Sequence, residues 1–262
     1  MPELPDVEVF REYLETTALY KPIARVEVDS SRIFNGISPQ LFADKLAGRK
    51  FIASSRRGKH LFAHTDSNGV VVLHFGMTGF LKLVHNRDER PKHTRVAFGF
   101  TGGSTLAYSC TRLLGKVAYA DDEASYVEQK ELGPDALAIE YDHFREIVEK
   151  SRSGIKSTLM DQTRIAGLGN IYSDEIMYQA GVHPSEPARN LDHAQVKKLF
   201  SSMNRVLEVA IRHKANPDEF PSGYLLPHRN AGDHCPRCGS VVRKMSSGGR
   251  SARYCPKCQK KS

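Results

Sequence analysis

The sequence of 262 residues contains no apolar run that approaches the roughly 18 residues of a membrane-spanning helix. Its first residues, Met1-Pro-Glu-Leu-Pro-Asp6, lack the basic and apolar regions of a signal peptide. Internal repeats and low-complexity tracts are absent as well. These absences argue against a membrane-spanning, secreted or repeat protein, and we expect a cytosolic protein or, in a eukaryote, a nuclear one.

Cysteine is almost absent before the C-terminal end of the chain. Cys110 is the one exception, and because no His or Asp is patterned around it, we interpret it as a small buried residue. The other four cysteines form two knuckles, Cys235-Pro-Arg-Cys238 and Cys255-Pro-Lys-Cys258. This spacing is typical of one structural zinc ion held by four thiolates. Two disulfides are the alternative, and the lack of a secretory segment argues against them.

The segment between the knuckles, residues 242–254, predicts a basic hairpin that bends at Gly248-Gly249. A tail this small cannot bury a core, so we expect the metal to supply much of its folding energy. The planar donor fork of arginine suits phosphate recognition. Zinc ribbons also serve as protein-docking modules, so the tail alone leaves both kinds of partner open.

The composition favours a polyanionic partner. The formal net charge is +8, the isoelectric point is near 9.2, and 40% of the residues are hydrophobic. We therefore expect folded cores in a protein that binds nucleic acid, with an anionic membrane surface as the weaker alternative.

The hydrophobic pattern predicts an α+β protein. A helix is expected from about Pro5 to Thr17, followed by a strand at 23–28 and a short helix up to Leu46. From Phe51 onward, short strands separated by glycine-containing turns predict an antiparallel sandwich or barrel. These strands are expected at 59–64, 70–75, 80–85, 94–100, 105–110 and 116–119.

The second half of the chain is predicted to be helical as far as the zinc tail. An acidic, turn-rich linker is expected between Asp121 and Ala136. Asp192 and Gln195 form a capping-box pattern ahead of the longest helix, which is expected to end near Ile211. We therefore predict three domains, at residues 1–130, 131–234 and 235–262.

The N-terminal Met-Pro pair has possible chemical meaning. Removal of Met1 would leave Pro2 with a free secondary amine, which can attack an electrophilic carbon when it is unprotonated. Glu3, its neighbour, could act as an acid or a base. Taken alone, the pattern is weak, because most such termini are only termini.

Five motifs in order change this reading, because together they resemble the formamidopyrimidine-DNA glycosylase and endonuclease VIII family. They cover the chain from residue 1 to residue 259. The motifs are Met1-Pro-Glu-Leu-Pro-Asp-Val-Glu8, Arg57-Gly-Lys-His60, His74-Phe-Gly-Met-Thr-Gly79, Gly167-Leu-Gly-Asn-Ile-Tyr172 and Cys255-Pro-Lys-Cys-Gln259. The opening Pro-Glu-Leu-Pro is similar to the formamidopyrimidine branch.

The resemblance implies catalytic roles for four residues. Pro2 would be the Schiff-base nucleophile that attacks the sugar carbon of a damaged nucleotide, and Glu3 the proton donor that opens the deoxyribose. Lys59 matches the family lysine that contacts phosphate and assists elimination. Arg250 matches the zinc-finger arginine that grips phosphate and aids δ-elimination.

The resemblance also implies DNA contacts. Asn170, in the turn of a helix-two-turns-helix element, would donate its amide to phosphate, although a local cap is the alternative. A flipped base leaves a hole in the duplex, which Met77, Arg112 and Leu114 would fill; core packing is the alternative for Met77 and Leu114. The remaining family contact positions are occupied by His93, Arg152 and Lys156.

Three features depart from the family pattern. Asp6 replaces the usual glutamate, and Leu114 stands where the 8-oxoguanine enzymes usually carry Phe, so flipping or opposite-base choice is expected to differ. The segment 216–234 is short and lacks the long base-capping loop. Tyr224, Leu225 and Leu226 could contribute to a lesion pocket, but loop packing is the favoured role.

We therefore expect a sandwich of antiparallel sheets with flanking helices, a helical domain and a zinc finger. The expected activity is a bifunctional DNA glycosylase and AP lyase for oxidised purines. The alternatives are an enzyme for oxidised pyrimidines or a catalytically idle zinc-containing DNA binder. The expected partner is duplex DNA with an oxidised or abasic site, and we expect a cytoplasmic, bacterial monomer. The lesion, the opposite base, Met1 removal and the choice between β- and β,δ-elimination stay open.

Overall fold

The computed structural model describes residues 1–230 and 232–261. The chain divides into two compact units. Met1–Pro2 and Asp6–Lys130 make the first, while Glu3–Pro5 and the chain from residue 131 onward make the second. Every helix in the described part of the chain is too short or too polar to cross a bilayer. The boundary predicted at residue 234 stays a prediction.

The first unit contains two four-stranded antiparallel sheets, which confirms the predicted sandwich. Their strand orders are β1-β6-β7-β5 and β2-β3-β4-β8. The strands are β1 (Ile23–Val28), β2 (Phe51–Arg57), β3 (His60–Thr65), β4 (Val70–His74), β5 (Gly79–Val84), β6 (Thr94–Phe100), β7 (Thr105–Cys110) and β8 (Lys116–Ala120). The helices are α1 (Leu4–Ala18), α2 (Pro39–Leu46) and α3 (Glu123–Gln129).

The alternation of side chains explains why both faces of the second sheet are covered. In β4, Val71 and Leu73 point into the core that the two sheets share, whereas Val72 belongs to a smaller core on the opposite face. Tyr126 of α3 packs in that smaller core, with its ring 5.7 Å from that of Phe62. The second sheet is therefore buried on both sides.

Helix α3 corrects one expectation, because residues 121–129 were predicted to be linker. Asp122 caps the helix by accepting a hydrogen bond from the Ser125 amide at 2.8 Å. Asp122 and Glu128 are exposed, Glu123 is half-buried and accepts from the Ser55 hydroxyl, and Tyr126 is the buried residue of the helix. A helix this short carries too few apolar positions for a periodic pattern to reveal it.

The second unit is helical and ends in a β-hairpin, as predicted. Its helices are α4 (Tyr141–Lys150), α5 (Ile155–Met160), α6 (Asn170–Ala180) and α7 (His193–Arg212), and the hairpin consists of β9 (Arg243–Ser247) and β10 (Arg250–Tyr254). Residues 172–180 of α6 are all buried, so this helix runs through the middle of the unit. Helices α5 and α6, joined by residues 161–169, form the helix-two-turns-helix element.

The predicted capping box at the start of α7 is confirmed. The Asp192 carboxylate accepts from the Gln195 amide at 2.8 Å, and the Gln195 side chain accepts from the Asp192 amide at 2.9 Å. Gly181 ends α6 with φ of 74°, in the left-handed region that favours glycine.

The cap gives a first test of the fold. Asp192→Ala removes an acceptor for a helix amide, and we expect it to lower the free energy of unfolding by about 1 kcal/mol. Lys197→Ala, on an exposed position of the same helix, is the control and should change it by less than about 0.5 kcal/mol. Urea unfolding followed by circular dichroism measures both; equal effects would contradict a structural role for the cap.

Candidate active site and metal centre

Glu3 is fully buried at the start of helix α6. Its carboxylate accepts hydrogen bonds from the backbone amides of Gly169 at 2.8 Å, Ile171 at 2.8 Å and Tyr172 at 3.2 Å. The first amides of a helix have no partner within it, and they carry partial positive charge. The helix therefore supplies both the hydrogen bonds and the electrostatic environment that a buried carboxylate needs.

The glycines of the preceding turn make this contact possible. A Cβ atom on Gly169 would lie 2.4 Å from the carboxyl carbon of Glu3. Gly167 has φ of 120°, and a Cβ there would lie 2.5 Å from Leu4. Gln162 braces the turn, since its side chain donates to the Leu168 carbonyl at 2.8 Å and accepts from the Gly167 amide at 3.0 Å. Residues 3 and 4 thus require these glycines, while close approach to DNA stays a prediction.

Asn170 begins α6 between the amides that hold Glu3. Its backbone carbonyl oxygen accepts a hydrogen bond from the Lys156 ammonium at 3.4 Å. Within residues 1–230 and 232–261, its side-chain Oδ1 is buried without a hydrogen-bond partner. The side chain does not serve as a local cap of α6, so its predicted phosphate contact stays a prediction.

Lys156 lies in a different environment from the one its predicted DNA contact requires. The side chain is fully buried and forms an ion pair with Asp174. Burial lowers the pKa of the Lys156 ammonium and raises the pKa of the Asp174 carboxyl, and their mutual attraction opposes both shifts. A phosphate contact needs an accessible ammonium, so the structure favours an internal role for Lys156. Arg152, before α5, is exposed as a contact requires.

Lys59 lies in the turn between β2 and β3, which is anchored to helix α1. The Arg56 guanidinium donates to Glu8 of α1 at 2.8 Å and to the carbonyl of Gly58 at 3.0 Å. Gly58 has φ of 57°, the left-handed conformation that glycine adopts without strain. The residue before Lys59 is thereby fixed to the helix that follows Pro2 in sequence.

Two histidines whose rings are in contact lie close to Lys59, and the sequence predicted no role for them. His60 and His74 pair across β3 and β4 with ring centroids 4.9 Å apart. Burial, the neighbouring His74 and the charges of Lys130 and Lys59 lower the pKa of His60 to about 3. Burial and the charge of Lys59 lower the pKa of His74 to about 4. Both rings are therefore neutral at pH 7.

The three predicted gap-filling residues come together in the first unit. Met77 and Leu114 are 40% and 50% exposed, so the alternative of core packing does not apply. Arg112 donates to the Met77 sulfur at 3.4 Å. A Cβ on Gly76 would lie 2.5 Å from the Leu114 carbonyl carbon, so the two loops lie against one another. His93 immediately precedes β6, and its backbone carbonyl accepts a hydrogen bond from the Cys110 amide of β7 at 3.0 Å.

Pro2 is half-buried and belongs to the first unit, and Met1 is 39% exposed. While Met1 is attached, the proline nitrogen is an amide and cannot act as a nucleophile. Asp6, the departure from the family motif, is half-buried in the first turn of α1. Cys110 is fully buried, in agreement with its interpretation as a packing residue.

The four knuckle cysteines meet as expected of a metal centre. The Sγ atoms of Cys235, Cys238, Cys255 and Cys258 all lie within 4.8 Å of one another, and none is in a disulfide. The Cys235–Cys258 and Cys238–Cys255 separations are 3.8 and 3.4 Å. A tetrahedral site with Zn–S bonds of about 2.3 Å places its sulfurs about 3.8 Å apart. The residues present therefore fit one structural zinc ion.

Arg250 is exposed at the start of β10. The bend before it is packed against α5, since a Cβ on Gly248 would lie 1.8 Å from the Ser157 hydroxyl. Gly248 and Gly249 have φ of 57° and 73°, which confirms the predicted bend.

The segment 216–230 packs on helix α6. Tyr224, Leu225 and Leu226 are buried, as the favoured loop-packing role predicts. The carboxylate of Glu175 accepts from the Leu226 amide at 2.7 Å and the Leu225 amide at 3.2 Å. Burial raises the pKa of Glu175 to about 7. This anchor has no recognisable signal in the sequence, because an acid in mid-helix is usually exposed.

Comparisons with known proteins match the whole chain. Residues 1–117 match the formamidopyrimidine-DNA glycosylase N-terminal domain, residues 132–220 the formamidopyrimidine-DNA glycosylase H2TH domain, and residues 232–261 a zinc finger found in FPG and IleRS. The chain is 34% identical to the formamidopyrimidine-DNA glycosylase of Heliobacterium modesticaldum, covering 99% of this chain and 100% of that protein. The identity is also 34% with the Streptococcus thermophilus protein of the same name, over 100% of both chains.

Solved structures of proteins from the same family are similar to this chain over nearly its whole length. A Lactococcus lactis Fpg mutant in complex with Fapy-dG-containing DNA is similar with a TM-score of 0.91 and 29% identity, over 99% of this chain and 100% of that one. A Lactococcus lactis enzyme bound to DNA containing an AP site has a TM-score of 0.90 and 29% identity over the same shares.

The turn before α6 provides a second test. Gly169→Ala should force the Glu3 carboxylate away from the helix amides and leave buried donors unpaired. We expect a loss of about 1–3 kcal/mol in the free energy of unfolding. Gly223→Ala is the matched control, because nothing lies within 4 Å of a Cβ there and the backbone is unstrained. Denaturant unfolding compares the two, and a harmless Gly169→Ala would contradict the contact.

Proposed function

The chain belongs to the formamidopyrimidine-DNA glycosylase family, and from that premise we propose that it removes oxidised purines from duplex DNA through its N-terminal proline. It is a DNA glycosylase of base excision repair. The substrate class follows the relatives' name and the opening Pro-Glu-Leu-Pro motif. The observation that carries the proposal is Glu3: a fully buried carboxylate, held by three amides, directly follows the proposed nucleophile.

The chemistry begins once Met1 is removed. The Pro2 nitrogen attacks the anomeric carbon of the damaged nucleotide, a C–N bond forms, and the bond to the base breaks. The Glu3 carboxylate takes the proton that the proline nitrogen loses as the C–N bond forms and passes it to the sugar ring oxygen, which opens the deoxyribose and leaves an iminium. The base leaves with the bonding electrons and is protonated by water. Loss of a sugar proton then expels the 3′ phosphate by β-elimination. A second elimination expels the 5′ phosphate, and hydrolysis of the iminium releases the amine.

The other site residues support these steps by binding DNA. Lys59 contacts a phosphate next to the reacting sugar, and the neutral pair His60 and His74 packs beside it without adding charge. Arg250 grips a phosphate from the zinc hairpin. Asn170, His93 and Arg152 contact the backbone, and the exposed set Met77, Arg112 and Leu114 fills the space of the extruded base.

The four cysteines hold one zinc ion that stabilises the hairpin and takes no part in bond breaking. We further propose that the protein acts as a monomer in the bacterial cytoplasm, with the nucleoid. The three-domain division at residues 130 and 234 belongs to the same proposal.

Borohydride trapping tests the nucleophile. The chain that begins at Pro2 should be trapped covalently on duplex DNA containing an abasic site, because reduction of an iminium joins the two. The same chain with Met1 retained should give only background trapping, since its proline nitrogen is an amide. Intact-mass analysis establishes which form is present, and denaturing gels measure the adduct. Equal trapping by both forms would falsify the assignment of Pro2.

Metal analysis tests the zinc finger. We expect one zinc ion per chain, and Cys258→Ser should lose most of it together with DNA binding, because the metal supplies the folding energy of the hairpin. Cys110→Ala, at the cysteine outside the cluster, should keep both. Atomic absorption and a duplex-binding titration measure the outcome; a zinc-free variant with wild-type affinity would refute this role.

A further inference from the structure

Helix α6 holds a second buried carboxylate, Asp174, which joins several segments of the second unit. One oxygen forms the ion pair with Lys156 of α5. The other accepts from the Arg229 guanidinium at 2.7 Å and from the backbone amide of Arg253 at 3.0 Å. A single side chain thus connects α5, α6, the segment at residue 229 and strand β10.

The contact with Arg253 fixes the strand that carries Arg250. Arg253 and Arg250 lie on β10, and each strand residue advances about 3.3 Å, so Arg250 lies about 10 Å along the strand from this attachment. The attachment is to the backbone, so it sets the position of the strand itself. Ser247 supports the neighbouring strand by donating to the Pro184 carbonyl at 2.8 Å.

The same helix also holds Glu3. Asp174 lies one turn after Asn170, and Lys156 bridges them, because its ammonium contacts the Asp174 carboxylate and the Asn170 carbonyl. Asn170 lies between Gly169 and Ile171, whose amides bind Glu3. The charge of Glu3 also acts on Lys156.

The four charged groups balance one another. Lys156 and Arg229 are cationic, Asp174 and Glu3 are anionic, and three of the four side chains are almost fully buried. Loss of Asp174 leaves a buried ammonium beside Glu3 without its close partner, and it frees the Arg253 amide.

We propose that Asp174 is a positioning residue, which fixes the strand bearing Arg250 to the helix that holds Glu3. This inference rests on the proposed function. It explains why a hairpin already held together by four thiolates is also bound through its backbone to a buried acid. The proton donor and the phosphate-gripping arginine then share one rigid frame, and both keep their orientation toward the same nucleotide.

A double-mutant cycle tests this role. Asp174→Asn keeps the size of the side chain but turns one acceptor into a donor, and we expect single-turnover cleavage of an abasic duplex to slow by about tenfold. In an Arg250→Gln background, the same change should slow cleavage by less than about twofold, because the residue through which Asp174 acts is already gone. Additive effects would overturn the assignment, as would an Arg250→Gln variant that cleaves normally.

Two further comparisons separate positioning from stability. Lys156→Met with Asp174→Ala removes the buried ammonium as well as the acceptor; it should keep its zinc and its fold, yet cleave at least about threefold more slowly than Lys156→Met alone. Val148→Ala, in the core of the same unit, should lower the melting temperature but cleave at the wild-type rate. Slowing by Val148→Ala equal to that of Asp174→Asn would assign Asp174 to stability alone and overturn the proposal.

The behaviour of the wild-type enzyme separates a failure of the proposed function from a failure of the role of Asp174. If the chain beginning at Pro2 neither cleaves nor is trapped on the abasic duplex, the proposed function fails, and the role of Asp174 fails with it. If it does both while the cycle is additive, only the role of Asp174 fails.

Discussion

The structure depends on one buried carboxylate, that of Glu3. An ion without solvent must have its oxygens satisfied by donors, and here the donors come from a helix start more than 160 residues away, as the 166-residue separation between Glu3 and Gly169 shows. This requirement dictates the sequence of the turn, because a side chain at Gly169 would occupy the place of the carboxylate. Gln162 stabilises the same turn, because its side-chain amide donates to the Leu168 carbonyl and accepts from the Gly167 amide. The turn Gly167-Leu-Gly-Asn170 therefore forms the binding site for the side chains of residues 3 and 4 within the same chain.

Helix α6 extends the same constraint along its length. Its amides hold Glu3, Asp174 one turn later holds strand β10, and Glu175 holds the backbone of residues 225 and 226. Such acids are costly inside a protein unless every oxygen is paired. Glu3 and Glu175 are paired largely with backbone amides of another segment, whereas Asp174 is paired with two cations and one backbone amide. A helix that is buried on all sides can thus specify where its neighbours lie through hydrogen bonds as well as through apolar packing. The zinc site closes the hairpin, and α6 sets its position.

The sequence predicted the elements whose signals are local. The strands at 23–28, 94–100 and 105–110 have the expected bounds because alternation and turn residues flank them, and the capping box of Asp192 and Gln195 spans only three residues. The features that depend on distant partners could not be predicted. Lys156 looks like an exposed lysine until Asp174, 18 residues later, is placed beside it. The contact between His60 and His74 needs the register of β3 against β4, which no single-strand pattern reveals. Helix α3 was missed because its one buried aromatic, Tyr126, carries no periodicity.

The two units accommodate buried ionisable side chains in different ways. In the second unit, buried acids are kept in place by amides and by paired cations. In the first, the cation Lys59 lies beside two imidazoles whose pKa values of about 3 and 4 keep them neutral at pH 7. Protonated rings at that distance would repel Lys59 and one another, and their burial would leave those charges without solvent. Since burial is the first cause of both shifts, the packing of His60 against His74 and Tyr126 is what keeps them neutral. Of these three side chains, Lys59 alone is charged at pH 7, so the proposed phosphate contact of this turn rests on the lysine.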